Sequence, residues 1–155
     1  VLANDRDGVL FASDANNNRI SKIAPNGTVT LFAANVFSCG GMAFDAEGNL
    51  YVASSSGILK FTPDGQRTEF ARRFTFPVGI AFDSAGDLYV ADQSAGVIKR
   101  VTPDGIVHAF ASGLALPQYV AIEPNLAPPA LALNPSGAAK LTGGIKFGLC
   151  CFSVG

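Results

Sequence analysis

A unit of about 40 residues, met three times and begun a fourth, constrains this chain more than any other feature. Residues 41–54, Gly-Met-Ala-Phe-Asp-Ala-Glu-Gly-Asn-Leu-Tyr-Val-Ala-Ser, return at 79–92 as Gly-Ile-Ala-Phe-Asp-Ser-Ala-Gly-Asp-Leu-Tyr-Val-Ala-Asp. An earlier copy occupies residues 1–14, and a partial later one is Tyr119-Val120-Ala121-Ile122-Glu123. Ala3, Ala43, Ala81 and Ala121 mark the period, with steps of 40, 38 and 40. The second half repeats as well: residues 20–27, 58–65 and 98–105 each close on Pro-Asn-Gly or Pro-Asp-Gly. Each is followed by a short alternating run ending in Phe32-Ala33, Phe70-Ala71 or Phe110-Ala111. Complete units are expected at 1–40, 41–78 and 79–118, with the first strand of a fourth at 119–124.

Each unit reads as four short strands. The first ends in Asp with Gly three residues on: Asp5 and Gly8, Asp45 and Gly48, Asp83 and Gly86. An Asp that opens a type I turn accepts backbone N–H groups ahead of it, and Gly takes the positive φ that closes the hairpin. The second strand is aromatic and β-branched, as in Leu50-Tyr51-Val52 and Leu88-Tyr89-Val90. The third alternates apolar and basic residues, and its Pro-Asx-Gly triplet sets a tight turn into an alternating fourth. Pro and Gly at such short intervals exclude a helical repeat. Four antiparallel strands per unit of this length describe the blades of a β-propeller. The expected fold is therefore all-β: about three four-stranded antiparallel blades and a degenerate or partial C-terminal one. The recurring alanine is expected where first strands converge on a common axis.

Composition narrows the function classes. The 155 residues are 48% hydrophobic and 15% charged, which fits a folded domain and not a disordered one. Eleven basic and 12 acidic residues leave no basic excess to neutralise phosphates, which argues against nucleic-acid binding. No apolar run reaches the length of a membrane-spanning helix. The N-terminus has neither Met nor the pattern of a signal peptide, so a processed, trimmed or partial chain is expected, and the compartment is open with an extracytoplasmic one favoured. Cys39, Cys150 and Cys151 read as small buried hydrophobes, a bridge from Cys39 to the later pair being the alternative.

At residues 79–92 and 98–105 the chain resembles the NHL-type six-bladed β-propellers, and the related senescence-marker-protein/gluconolactonase and streptogramin-lyase propellers. The resemblance covers about residues 1–124. Such a ring needs roughly 240 residues at this period, so it implies a fragment, a truncated product, or an arc whose open blade faces associate. It implies little about activity, since these folds host enzymes and binding modules alike.

Candidate site residues follow from the loops. Asp14, Asn17 and Asn18, and their counterparts Asp92 and Gln93, lie after second strands. No cofactor is assigned; gluconolactonase-type propellers hold a divalent cation with such oxygens, and by that resemblance Ca²⁺ or Mg²⁺ is the ion that would suit them. The competing reading is local bonding that closes the loop. Ser54 stands where the other units have Asp. Arg72 and Arg73 beside Phe74 and Phe76 fall in an inter-blade connection, where propellers carry binding. Streptogramin lyases use a His at the channel mouth, whereas the single His108 falls in a fourth strand. Asp5, Asp45, Asp83 and Glu123 obey the repeat, as turn residues do. No catalytic residue is assigned. The expected function is a non-catalytic scaffold for a protein or small ligand; part of a metal-dependent lactonase-like or lyase-like enzyme is the alternative. Residues 125–155 are expected to form a degenerate blade, with residues 145–152 its outer strand, or an apolar tail.

Overall fold

The structure is a computed structural model and describes residues 1–122 together with strands at 130–133, 139–142 and 145–148. Glu123, Cys150 and Cys151 lie outside the described residues.

The repeat becomes three four-stranded antiparallel sheets, each in sequential order. The first holds β1 (Leu2–Asn4), β2 (Leu10–Asp14), β3 (Arg19–Ile23) and β4 (Val29–Ala34). The second holds β5 (Met42–Phe44), β6 (Leu50–Ser54), β7 (Gly57–Phe61) and β8 (Arg67–Ala71). The third holds β9 (Pro77–Phe82), β10 (Leu88–Asp92), β11 (Val97–Val101) and β12 (Val107–Ala111). The first hairpins are built alike. Asp45 Oδ1 accepts from Glu47 N at 3.0 Å and Asn49 N at 2.8 Å. Asp5 and Asp83 do the same in their own turns. Gly48, at φ +85°, adopts a conformation that a side chain would strain.

Strand alternation explains how the sheets stack. On β6, Leu50 and Val52 face the first sheet, where they join Phe11 and Ile20 in one buried cluster. Tyr51 and Ala53 point the other way, into a second cluster with Ile80, Leu88 and Val90. Both faces of β6 and β10 are thus covered, and all five residues of each strand are buried. That is why these strands read as continuous apolar runs. Tyr89, Ala91 and Ile98 carry the pattern on to Val120. Aromatic rings lock each interface edge-on: Tyr51 meets Phe70 at 4.8 Å and Phe82 at 4.9 Å. Among the described residues only one face of the first sheet is covered, and Leu2, Leu10, Val29 and Leu31 are exposed on the other.

First strands of successive sheets lie side by side, β1 against β5, β5 against β9, and β9 against β13 (Tyr119–Ile122). The closest approach falls two residues before the expected alanine. Gly41 N donates to Val78 O at 2.5 Å. A Cβ on Gly41 would sit 2.6 Å from that oxygen, and one on Gly79 would sit 2.9 Å from Tyr119 Cα. Glycine is therefore the residue that lets the wedges meet, while Ala43 and Ala81 pack beside the inter-sheet clusters.

The C-terminal strands depart from the expected order. β13 pairs with β16 (Ile145–Gly148), and β14 (Ala130–Leu133) pairs with β15 (Ala139–Thr142). Residues 145–148 thus lie directly beside a first strand, and β14 and β15 form a separate pair, where four strands in sequential order would have placed the last strand of a blade two strands away. No α-helix occurs among the described residues, so none there is long and apolar enough to cross a membrane.

Candidate functional site

Antiparallel order sends all second-to-third turns and inter-sheet connections to one end of the stack, and all first and last hairpins to the other. The sequence candidates Asp14, Asn17, Asn18, Arg72, Arg73, Asp92 and Gln93 all fall at the connection end. They form two groups there.

Arg72, Arg73, Asp92 and Gln93 belong to one assembly. Asp92 ends β10 and is fully buried. Its carboxylate accepts from Phe76 N at 2.7 Å, from Thr75 N at 3.0 Å, and from Lys99 Nζ at 2.8 Å. Burial works to raise the Asp92 pKa, but Lys99 and the two backbone donors outweigh it and hold the group below the ordinary carboxylate range. Lys99 Nζ also donates to Arg73 O at 2.5 Å, and Gln93 N donates to Phe76 O at 2.9 Å. Asp92 is thus a tether. Every described contact of its oxygens is internal, and it positions the connection without reaching its surface. Arg72 projects outward and pairs with Glu69, while Arg73, at φ 75°, is exposed.

Asp14, Asn17 and Asn18 form the second group. Asp14 caps a single 3-10 turn, Ala15–Asn17, by accepting from Asn17 N and Asn17 Nδ2. Asn17's side-chain amide holds the Asp14 carboxyl below its ordinary value, with Arg19 assisting. Asn18 takes the left-handed conformation and its carbonyl accepts from Val36 N. In the middle sheet the shorter turn needs only a hydroxyl, and Ser54 Oγ donates to Gly57 O. The Asx side chains therefore close the loops locally. Among the described residues no group of three or more His, Cys, Asp or Glu side chains is placed to hold a metal ion. His108 is exposed on β12 opposite Arg100.

What the candidates leave at the surface of this end is a set of apolar side chains, of which sequence reasoning named Phe76 and missed Phe37 and Leu116. Phe37, Phe76 and Leu116 stand one in each inter-sheet connection and are exposed. Their signal was present in the sequence, since all three fall three or four residues before the first-strand glycine or its equivalent. The connections carrying them are pinned by backbone bonds, Ser55 N to Phe37 O at 3.1 Å and Leu114 N to Gly96 O at 3.0 Å.

The opposite end holds a groove of about 880 Å³ between the hairpins, lined by Arg6, Asp45, Glu47, Tyr51, Lys60 and Phe82 among others. It is built from the repeat. Asp45 Oδ2 accepts from Asn49 Nδ2 at 2.8 Å and lies 3.7 Å from Lys60. In the third sheet the same positions hold Asp83, Asp87 and Arg100. Asp83 Oδ2 is buried there with no hydrogen-bond partner among the described residues. Burial, reinforced by Asp83 and then Asp87, pushes the adjacent Tyr89 hydroxyl up to about 12.

The comparisons with known proteins agree with this architecture. The family model described as NHL repeat matches residues 74–96, the start of the third sheet. Among curated proteins none matches the chain. Solved structures do. A virginiamycin B lyase from Staphylococcus aureus shares 17% identity and a TM-score of 0.66, covering 94% of this chain and 53% of its own. The nidogen/laminin complex gives 23% identity and a TM-score of 0.71, with coverage of 79% and 51%. A gluconolactonase from Xanthomonas campestris gives 20% identity and 0.65, with coverage of 75% and 47%. The chain spans about half the length of the solved structures it matches. Three four-stranded sheets stacked face to face about adjoining first strands give this chain the fold of a partial β-propeller, whose third sheet opens on a segment that matches the NHL repeat model.

Proposed function

We propose that the chain is a non-catalytic propeller scaffold that binds a protein or small ligand at its connection end. One observation carries the reading: buried Asp92 and half-buried Lys99 hold the connection before β9 while Arg72, Arg73 and Phe76 stay at its surface. A loop fixed by several such bonds loses little freedom on binding, so its exposed side chains form a preorganised contact. The Asx groups support the same reading, since their polar atoms stabilise loops. The open face of the first sheet, with exposed Leu2, Leu10, Val29 and Leu31, supports self-association as a second contact.

The enzymatic reading draws on structural neighbours described as a lyase and a gluconolactonase. A thermal-shift screen over divalent cations, lactones and peptides separates the two. The scaffold reading expects shifts from peptides and none from Ca²⁺ or Mg²⁺ together with a lactone. Cation-dependent lactone hydrolysis that is lost on chelation would replace it.

A further inference from the structure

We propose that the connection end docks an acidic protein segment bearing apolar side chains. The inference rests on the scaffold reading and names its partner.

Three observations converge. The first is the row of anchors: Phe37 is 57% exposed, Phe76 41% and Leu116 63%, one on each successive connection. Aromatic side chains on fixed loops are favoured interface anchors. The second is a concavity of about 310 Å³ beside Phe37, lined by Asn35, Ser56, Leu59, Arg67 and Glu69. It offers an apolar floor at Leu59 with a cation at its rim. The third is charge. Asp92 is neutralised by Lys99, Asp14 pairs with Arg19, and Glu69 pairs with Arg72. Arg67 and Arg73 are exposed with no acidic partner among the described residues, and Arg67 reaches across the sheet interface to donate to Asn35 O at 3.2 Å. The connection end therefore presents uncompensated positive charge around its apolar anchors.

The far end carries the opposite sign. Asp5, Asp7, Asp45, Glu47, Asp64, Asp83, Asp87 and Asp104 outnumber Arg6, Lys22, Lys60 and Arg100 there. A near-neutral chain is thus polarised along its stack. Such a field repels an acidic segment from the hairpin end and steers it to the connections. The features fit a polypeptide better than a nucleic acid. Two free arginines neutralise few phosphates, and Leu116 offers no ring for base stacking.

The test selects a random peptide display library on the immobilised full chain and measures recovered peptides by fluorescence anisotropy. Peptides combining Asp or Glu with Leu or Phe are expected to dominate, with binding that weakens as salt rises. The double variant Arg67→Glu/Arg73→Glu and the double variant Phe37→Ser/Phe76→Ser are each expected to lose at least about tenfold in affinity. All four side chains are exposed, and an unchanged far-ultraviolet circular dichroism spectrum certifies folding. Recovered peptides without acidic residues, but still dependent on Phe37 and Phe76, would overturn the charge assignment and leave the scaffold reading standing. Selection of no peptide, or of peptides indifferent to both variants, would overturn both. Preferential binding of single-stranded RNA or phosphatidylserine vesicles over the acidic peptides would likewise overturn the proposal.

Discussion

Asp87→Asn is expected to stabilise the protein. In the second sheet, Asn49 donates to Asp45 Oδ2 at 2.8 Å. In the third, the same place holds Asp87, which has no proton to give, and Asp83 Oδ2 stays buried without a partner among the described residues. An asparagine at 87 supplies that donor and removes a second negative charge from the site. A hydrogen bond to a charged group contributes about 1.5–3 kcal/mol. The loss is the contact of Asp87 with Arg100, 3.4 Å long and 39% exposed on the arginine side, worth about 0.5 kcal/mol once screened by solvent. The balance is roughly 1–2.5 kcal/mol of added stability, a rise of roughly 2–10 °C in Tm for a domain of this size. Urea and thermal unfolding followed by circular dichroism measure it. The converse variant Asn49→Asp should lower stability by a similar amount, and in Asp87→Asn the Tyr89 hydroxyl, seen by ultraviolet absorbance titration, should ionise below its present value of about 12. If Asp87→Asn is neutral or destabilising while Asn49→Asp costs nothing, the argument from the orphaned oxygen is wrong.

Further consequences concern the tether, the axis and pH. Asp92→Asn weakens the bond to Lys99 at a fully buried position and should cost about 3 kcal/mol, with increased proteolysis of the connection at Arg72 and Arg73 as the local readout. Because the folded Asp92 pKa lies below the unfolded one, its contribution is fully present above about pH 4 and is lost as pH falls through the folded value; unfolding followed against acidity should show this, and the acid-side loss should shrink in Asp92→Asn. Tyr89 acts on the alkaline side: raised to about 12 when folded, it should erode stability between about pH 10 and 12, and Tyr89→Phe should flatten that limb. Gly41→Ala drives a Cβ to 2.6 Å from Val78 O and should cost about 2–3 kcal/mol, whereas Gly65→Ala, which meets nothing within 4 Å, should cost about 1 kcal/mol from its positive φ alone. Equal losses in the two variants by denaturant unfolding would refute glycine as the residue that admits close approach.

What the chain determined by itself is its local chemistry. Asp45 and Gly48 specify a hairpin through bonds that span four residues, and the period of 40, 38 and 40 counts the sheets without reference to anything distant. Alternation in Leu50-Tyr51-Val52-Ala53 already divides those side chains between two faces. Tertiary structure decided everything that depends on which unit lies beside which. The buried Asp92 looked like an exposed Asx ligand until the connection carrying Thr75 and Phe76 folded over it from 16 residues away. Alanine looked like the axial contact, yet the backbone of the next sheet comes nearest to Gly41 and Gly79. Residues 145–148 pair with β13, a partner no local pattern names. Phe37, Phe76 and Leu116 came to share one end of the stack, and the two ends took opposite charge, only when the blades stacked. Short-range hydrogen bonding is written in adjacent residues, whereas burial, field and surface are properties of elements brought together from far apart in the chain.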